Sequence, residues 1–218
     1  MKKTFLYISL LLTLSASAET LKEGRITYEI SMPKLNGEDV DEQMKAMMPY
    51  ESIQYYKGDK MRNEMKAGFG TTVTLMEQGG DSITLLMEMM GMKTYRRMPV
   101  DGPNKDASFS AEKPEIKQTD EARKIAGYTC KKTLMTFKSE EGEPMQLEAW
   151  ITEELEVPVQ GNPQFKSVKG VALEFDFSVR EMSMHMKATK VEKVPVSDDL
   201  FLVPDGFTEG PMFPGMEK

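Results

Sequence analysis

The chain has 218 residues, a formal net charge of −7, one cysteine and one histidine. The acidic balance argues against nucleic acid as a partner: phosphate binding depends on lysine and arginine displacing counterions, and no basic run with interleaved aromatics occurs. A single thiol cannot form an internal disulfide, and a single histidine cannot build a multi-histidine zinc site.

Residues 1–18 read as a cleavable secretory signal. Lys2 and Lys3 give a positive start, Phe5 to Leu14 form a short apolar run, and Ala16-Ser17-Ala18 supplies the small residues signal peptidase needs. The run is too short to span a bilayer as a helix. Glu19 and Thr20 follow it rather than a lipid-bearing cysteine. The expected product is a soluble periplasmic or secreted protein without a transmembrane anchor. It retains about 200 residues, enough for one domain (19–208), with a flexible tail over 209–218. Loss of Lys2 and Lys3 takes its charge to about −9.

In chain order, Ile26, Tyr28, Ile30 and Met32 alternate with Arg25, Thr27, Glu29 and Ser31, the period-two pattern of a half-buried strand, which Pro33 is expected to end. Asn36-Gly37, then Glu38, Asp39, Asp41 and Glu42, read as a cap and acidic first turn. A helix over about 38–48 would place Met44, Met47 and Met48 on one face before Pro49 stops it. From Ser52 to Met98, strand-like runs are divided by turn signals at Gly58-Asp59, Gly68 and Gly70, Gly79-Gly80-Asp81 and Gly91. That is a meander of hairpins.

Residues 99–115, with Pro103 and Pro114, read as a long loop. Strands resume at Ile116–Thr119, Arg123–Ile125 and Tyr128–Lys138, and Glu140-Glu141-Gly142-Glu143 is a charged turn before Met145 to Ile151. Val157 to Lys169 is irregular. Val171, Leu173, Phe175 and Phe177 alternate, Met182 to Val194 forms a final long strand, and the chain from Pro204 reads as loose. The fold class expected is mainly β: a strongly curved antiparallel sheet or incomplete barrel of about ten strands with one covering helix.

Twenty methionines are the unusual feature. Methionine is flexible and polarizable, filling irregular gaps and making adaptable binding surfaces, while specifying a closed core poorly. Thioethers also suit Cu(I), with Met184-His185-Met186 and Met89-Met90-Gly91-Met92 as the places to look. In a regular strand His185 faces away from Met184 and Met186, which counts against the first. Cys130 has no histidine near it in sequence and reads as a small buried hydrophobe. No Gly-x-Ser-x-Gly, phosphate loop or complete calcium loop occurs, so catalysis and cofactors are not expected.

The segments Ile125-Ala126-Gly127-Tyr128-Thr129-Cys130-Lys131-Lys132 and Glu148-Ala149-Trp150-Ile151-Thr152 carry a resemblance, as does the ending Asp199-Leu200-Phe201-Leu202-Val203-Pro204-Asp205-Gly206-Phe207. Over about residues 24–208 the chain resembles an exported bacterial family of unknown function, similar to the LolA/LolB-like lipoprotein carriers. The resemblance implies an incomplete antiparallel barrel, a helical cover and an apolar cavity that in the carriers holds lipoprotein acyl chains. By residue chemistry, Gly127 suits a turn or bulge. Trp150 has the parity of Gln146 and Glu148, which puts it on the outer surface or a sheet edge unless a bulge turns it inward.

The expectation is therefore a non-enzymatic protein that binds a lipid, lipopeptide or lipoprotein acyl chain. The residues expected to line its cavity are Met44, Met47, Met48, Leu85, Met87, Phe175, Phe177, Met182, Met184 and Met186. The alternatives are a Cu(I)-binding protein using methionine sulfurs and a non-catalytic module that docks an envelope protein.

Overall fold

A computed structural model describes residues 18–35, 40–100, 113–137, 145–179 and 182–210, with backbone alone at 32–35, 145, 163, 177–179, 182 and 183. The expected signal peptide up to Ser17, most of the expected loop over 99–115, the expected turn at Glu140–Glu143 and the residues beyond Gly210 lie outside the described residues.

Among the described residues fourteen strands form: β1 (Glu19–Thr20), β2 (Glu23–Leu35), β3 (Pro49–Lys57), β4 (Lys60–Ala67), β5 (Gly70–Glu77), β6 (Ser82–Met89), β7 (Met92–Pro99), β8 (Glu115–Ile125), β9 (Tyr128–Phe137), β10 (Met145–Thr152), β11 (Leu155–Glu156), β12 (Val171–Val179), β13 (Met182–Glu192) and β14 (Thr208–Glu209). Twelve of them make one large curved sheet in the order β14-β7-β6-β5-β4-β3-β2-β13-β12-β10-β9-β8. It is antiparallel throughout except for the β14–β7 pair, and it stays open, with β14 and β8 at its edges. The short β1 and β11 pair in parallel beside it.

The hairpins follow from the turn residues. Ala126 (φ 47°) and Gly127 (φ 93°) join β8 to β9, and Met90 (φ 50°) and Gly91 (φ 82°) join β6 to β7. Two successive positive φ values match the right-handed twist of the strands they connect. β8 is one strand rather than two runs, because a register shift between Gln118 and Ala122 absorbs the interruption. β2 likewise continues past Pro33 to Leu35. Beyond Glu29 it pairs with β13 alone, so the proline lies where one side of the strand is unpaired.

The helix is the main departure. It spans only Glu42–Lys45, capped by Asp41, whose Oδ1 accepts from the Met44 N–H at 2.7 Å, and it buries no residue. A single turn cannot carry a stripe at i, i+3 and i+4, so Met44, Met47 and Met48 do not share a helical face. The chain turns at Ala46 and packs so tightly on Gly68 that a Cβ there would collide with the Ala46 carbonyl.

Paired residues share a face, so register divides the sheet into an inner and an outer side. The main core lies on the inner side, over β2, β13, β12, β10 and β9. Ile26, Tyr28, Leu173, Ala149 and Met135 are nearly inaccessible there. It is covered not by the expected α-helix but by segment 157–170, which inserts Val159 and, from a short 3-10 turn at Pro163–Phe165, Phe165. A smaller core of Val73, Leu75 and Leu86 lies on the outer side of β5 and β6. Val203 and Phe207 cover it, so the chain from Pro204 to Gly210, read as loose from sequence, runs along the outer face as a strap.

Candidate functional site

The inner face has two dissimilar halves. In the closed half, Phe165 packs edge-on against Phe175 with ring centroids 4.8 Å apart, and Tyr28 packs on the other side of Phe175 at 6.3 Å. The Tyr28 hydroxyl donates to the Ala172 carbonyl at 3.1 Å, and the Tyr56 hydroxyl donates to Gln54 Oε1 at 2.7 Å. Burial pushes both phenols well above their usual range, so they serve as neutral donors. Ser52, fully buried, donates to Asn63 Oδ1 at 2.7 Å. The closed half is thus a hydrogen-bonded, filled core.

The open half covers β5 to β7 and the adjoining end of β4, whose Met61 is fully buried in the main core. Register sets Met65 opposite Thr72, Thr72 opposite Met87, and Met87 opposite Thr94. In the next row Asn63 faces Thr74, Thr74 faces Leu85, and Leu85 faces Arg96. Met89 lies opposite Met92, and Ile83 lies opposite Met98. Met87 is buried, and Ile83, Leu85, Met89 and Met98 remain half-buried, whereas the half-buried Met65 and Met76 pack against the main core. This surface is methionine and aliphatic in chemistry with threonines between. Among the described residues its one charged side chain is Arg96.

The ten residues expected to form one cavity are distributed over both halves. Phe175, Met184 and Met186, each 5% exposed, belong to the closed half, where Phe175 lies opposite Met186. Phe177 pairs with Met184 and Met182 with Val179, but the side chains of Phe177 and Met182 lie outside the described residues. Leu85 and Met87 lie in the open half. Met48 packs against the main core, Met44 is half-buried, and Met47 is 55% exposed. β6 and β13 are five inter-strand steps apart, about 24 Å along the sheet. Ile83 and Met98 join Leu85 and Met87 without having been singled out, and Met65 and Met76 lie between them and the main core. The available signal was parity carried across the hairpins at Gly68–Gly70 and Gly91.

His185 faces away from Met184 and Met186, as strand parity predicts. On the outer side its Nδ1 lies 2.6 Å from Asp176 Oδ1 and its Nε2 3.2 Å from Glu174 Oε1. Arg123 pairs with the same Glu174 oxygen at 2.6 Å, and its guanidinium lies 3.8 Å from the centre of the Trp150 ring. Lys187 approaches Glu174 Oε2 at 3.6 Å. Glu174 is 6% exposed; Arg123 compensates the burial of Oε1, whereas Oε2 is buried without a hydrogen bond, with Lys187 at 3.6 Å its nearest cation. Trp150 therefore lies on the outer side, next to a register shift between Trp150 and Ile151. The cluster ties β8, β10, β12 and β13 together. Among the described residues no group of three histidine, cysteine or carboxylate side chains is arranged to hold a metal ion. Cys130 is inaccessible, and burial, with a contribution from Glu154, pushes its thiol up to about 12, which removes it as a nucleophile.

No helix among the described residues is long and apolar enough to cross a membrane. A search among curated proteins finds no match. Two crystal forms of PNGF-II resemble the chain at 21% identity: the C2 form with a TM-score of 0.46 over 86% of this chain, and the P21 form with 0.49 over 87%. The chain spans only 31% of PNGF-II. A proposed outer membrane lipoprotein-sorting protein domain from Vibrio parahaemolyticus is similar at 8% identity and a TM-score of 0.27, over 84% of this chain and 91% of that one. Residues 23–157 match the model of a family described as a domain of unknown function (DUF4412), and the chain belongs to that family.

Proposed function

We propose that the protein is an exported, non-catalytic carrier that binds an acyl-bearing ligand, a lipid or lipopeptide, on the open half of its inner face. The observation that carries this reading is the asymmetry between the halves. One is filled by aromatic packing and segment 157–170, with Met65 and Met76 packed against it, while the other leaves Ile83, Leu85, Met89 and Met98 half-buried. A flexible thioether surface adapts to an acyl chain without demanding one shape. Covering about 200 Å² of it contributes about 5 kcal/mol before the cost of association. The nearest charge in that surface is Arg96, exposed and directly opposite Leu85, where it would meet an anionic headgroup.

The reading is tested by native mass spectrometry and organic extraction of protein purified from its own cell envelope. Co-purified lipid is expected with the wild type and is lost in Leu85→Glu and Met87→Glu. The reading fails if the wild type carries no extractable lipid and gains no thermal stability from fatty acids or phospholipid.

A further inference from the structure

The outer side of the sheet holds a cavity beneath the strap, lined mainly by outer-face residues, with Met61 and Met76 at its border. The strap is anchored at one end where Arg62 donates to the Leu200 carbonyl at 3.1 Å, and at the other where β14 pairs with β7. Between these anchors it bridges β5 and β6, leaving a cavity of about 330 Å³. That volume lies at the small end of the range for ligand sites. Its floor is the cross-strand row of Leu75, Thr84 and Arg97, and its roof is Phe201, Leu202 and Val203.

Two features specify the occupant. The apolar side includes Leu202, which is 59% exposed, a large hydrophobic side chain held beside an unfilled space. At the polar side, Arg97 makes no ion pair among the described residues, although the protein as a whole is acidic. Lys60 and Glu77 also line the cavity and face each other across the β4–β5 ladder, so Arg97 leaves the site one positive charge in excess. A guanidinium at the edge of an apolar slot matches a carboxylate attached to an alkyl chain.

We propose that this cavity binds a small anionic amphiphile, a medium-chain fatty acid, with its carboxylate on Arg97 and its chain between Leu75 and the strap. Met76 borders both this cavity and the inner face, so the two sites are told apart by Arg97 on one side and Leu85 on the other.

The test is a titration of the full chain with sodium decanoate, followed by amide chemical shifts of Phe201, Leu202 and Val203. Saturable shifts are expected, weakened about tenfold or more in Arg97→Glu and for the uncharged decanol, retained in Arg97→Lys and abolished when Thr84→Trp fills the cavity. Leu85→Glu, on the inner face, leaves them unchanged. Shifts that do not saturate, or that survive Arg97→Glu at full affinity, overturn the proposal. So do shifts in the strap that disappear with Leu85→Glu, since they would report the inner site alone.

Discussion

Whether segment 157–170 is a fixed part of the core or a displaceable cover decides how much of the inner face a ligand can reach. Phe165→Ala tests this. Phe165 is 3% exposed and its ring meets Phe175 at an interplanar angle of 72°. Removing a buried phenylalanine ring costs about 3–5 kcal/mol in lost transfer energy and cavity. Total stability for a domain is about 5–15 kcal/mol, so the loss is a large share of it. With a urea m-value of about 2–3 kcal/mol/M for a chain of this size, the unfolding midpoint should fall by about 1–2 M. Met47→Ala, at a residue 55% exposed, is the matched control and should change stability by less than about 0.5 kcal/mol. A Phe165→Ala loss below about 1 kcal/mol would refute the reasoning: the segment would then be a cover, and the inner face one continuous groove.

Further perturbations address other parts of the account. Gly170→Ala should destabilise by more than about 1–2 kcal/mol, because φ is +94° and the new Cβ would collide with the Thr152 carbonyl; equal unfolding midpoints would contradict this. Arg25, with Lys190, holds the Glu192 carboxyl down at about 2. The folded value lies below the ordinary 4.5, so this stabilisation is complete above about 4.5 and is lost as pH falls toward about 2. Arg25→Gln should flatten the acid limb of stability in that window, as read by thermal melts across the acid range. Cys130 should resist alkylation in the native state at mildly alkaline pH and react at once in denaturant, since it is both inaccessible and protonated. Rapid native labelling would place the β9 thiol at the surface.

The strands were legible where local chemistry alone determines them. Gly58-Asp59, Gly79-Gly80-Asp81 and Gly91 mark hairpins because few residues tolerate those turns, and the alternation around Ile26 and Phe175 reports half-buried strands. What escaped depended on contacts distant in sequence. Val171 to Phe175 alternates as if one side were wet, yet Ala172 and Glu174 are also buried, because Arg123, Trp150 and His185 converge over the outer side. The irregular run 157–169 was visible as irregular, but nothing local shows that Phe165 reaches Phe175. The helix was overestimated because acidic residues and methionines at helical spacing satisfy a pattern that one turn cannot sustain. The methionine surface was half legible: Leu85 and Met87 have the right parity, and Phe175, Met184 and Met186 share it on strands that fold into the closed half.

The most direct test of the acyl-binding reading labels the methionine methyl groups with carbon-13 and follows them while a fatty acid or phospholipid is added. The account predicts saturable shifts at Met87, Met89 and Met98, with Met135, Met184 and Met186 unmoved. Silence across all of them, or shifts led by Met135, Met184 and Met186, would contradict it.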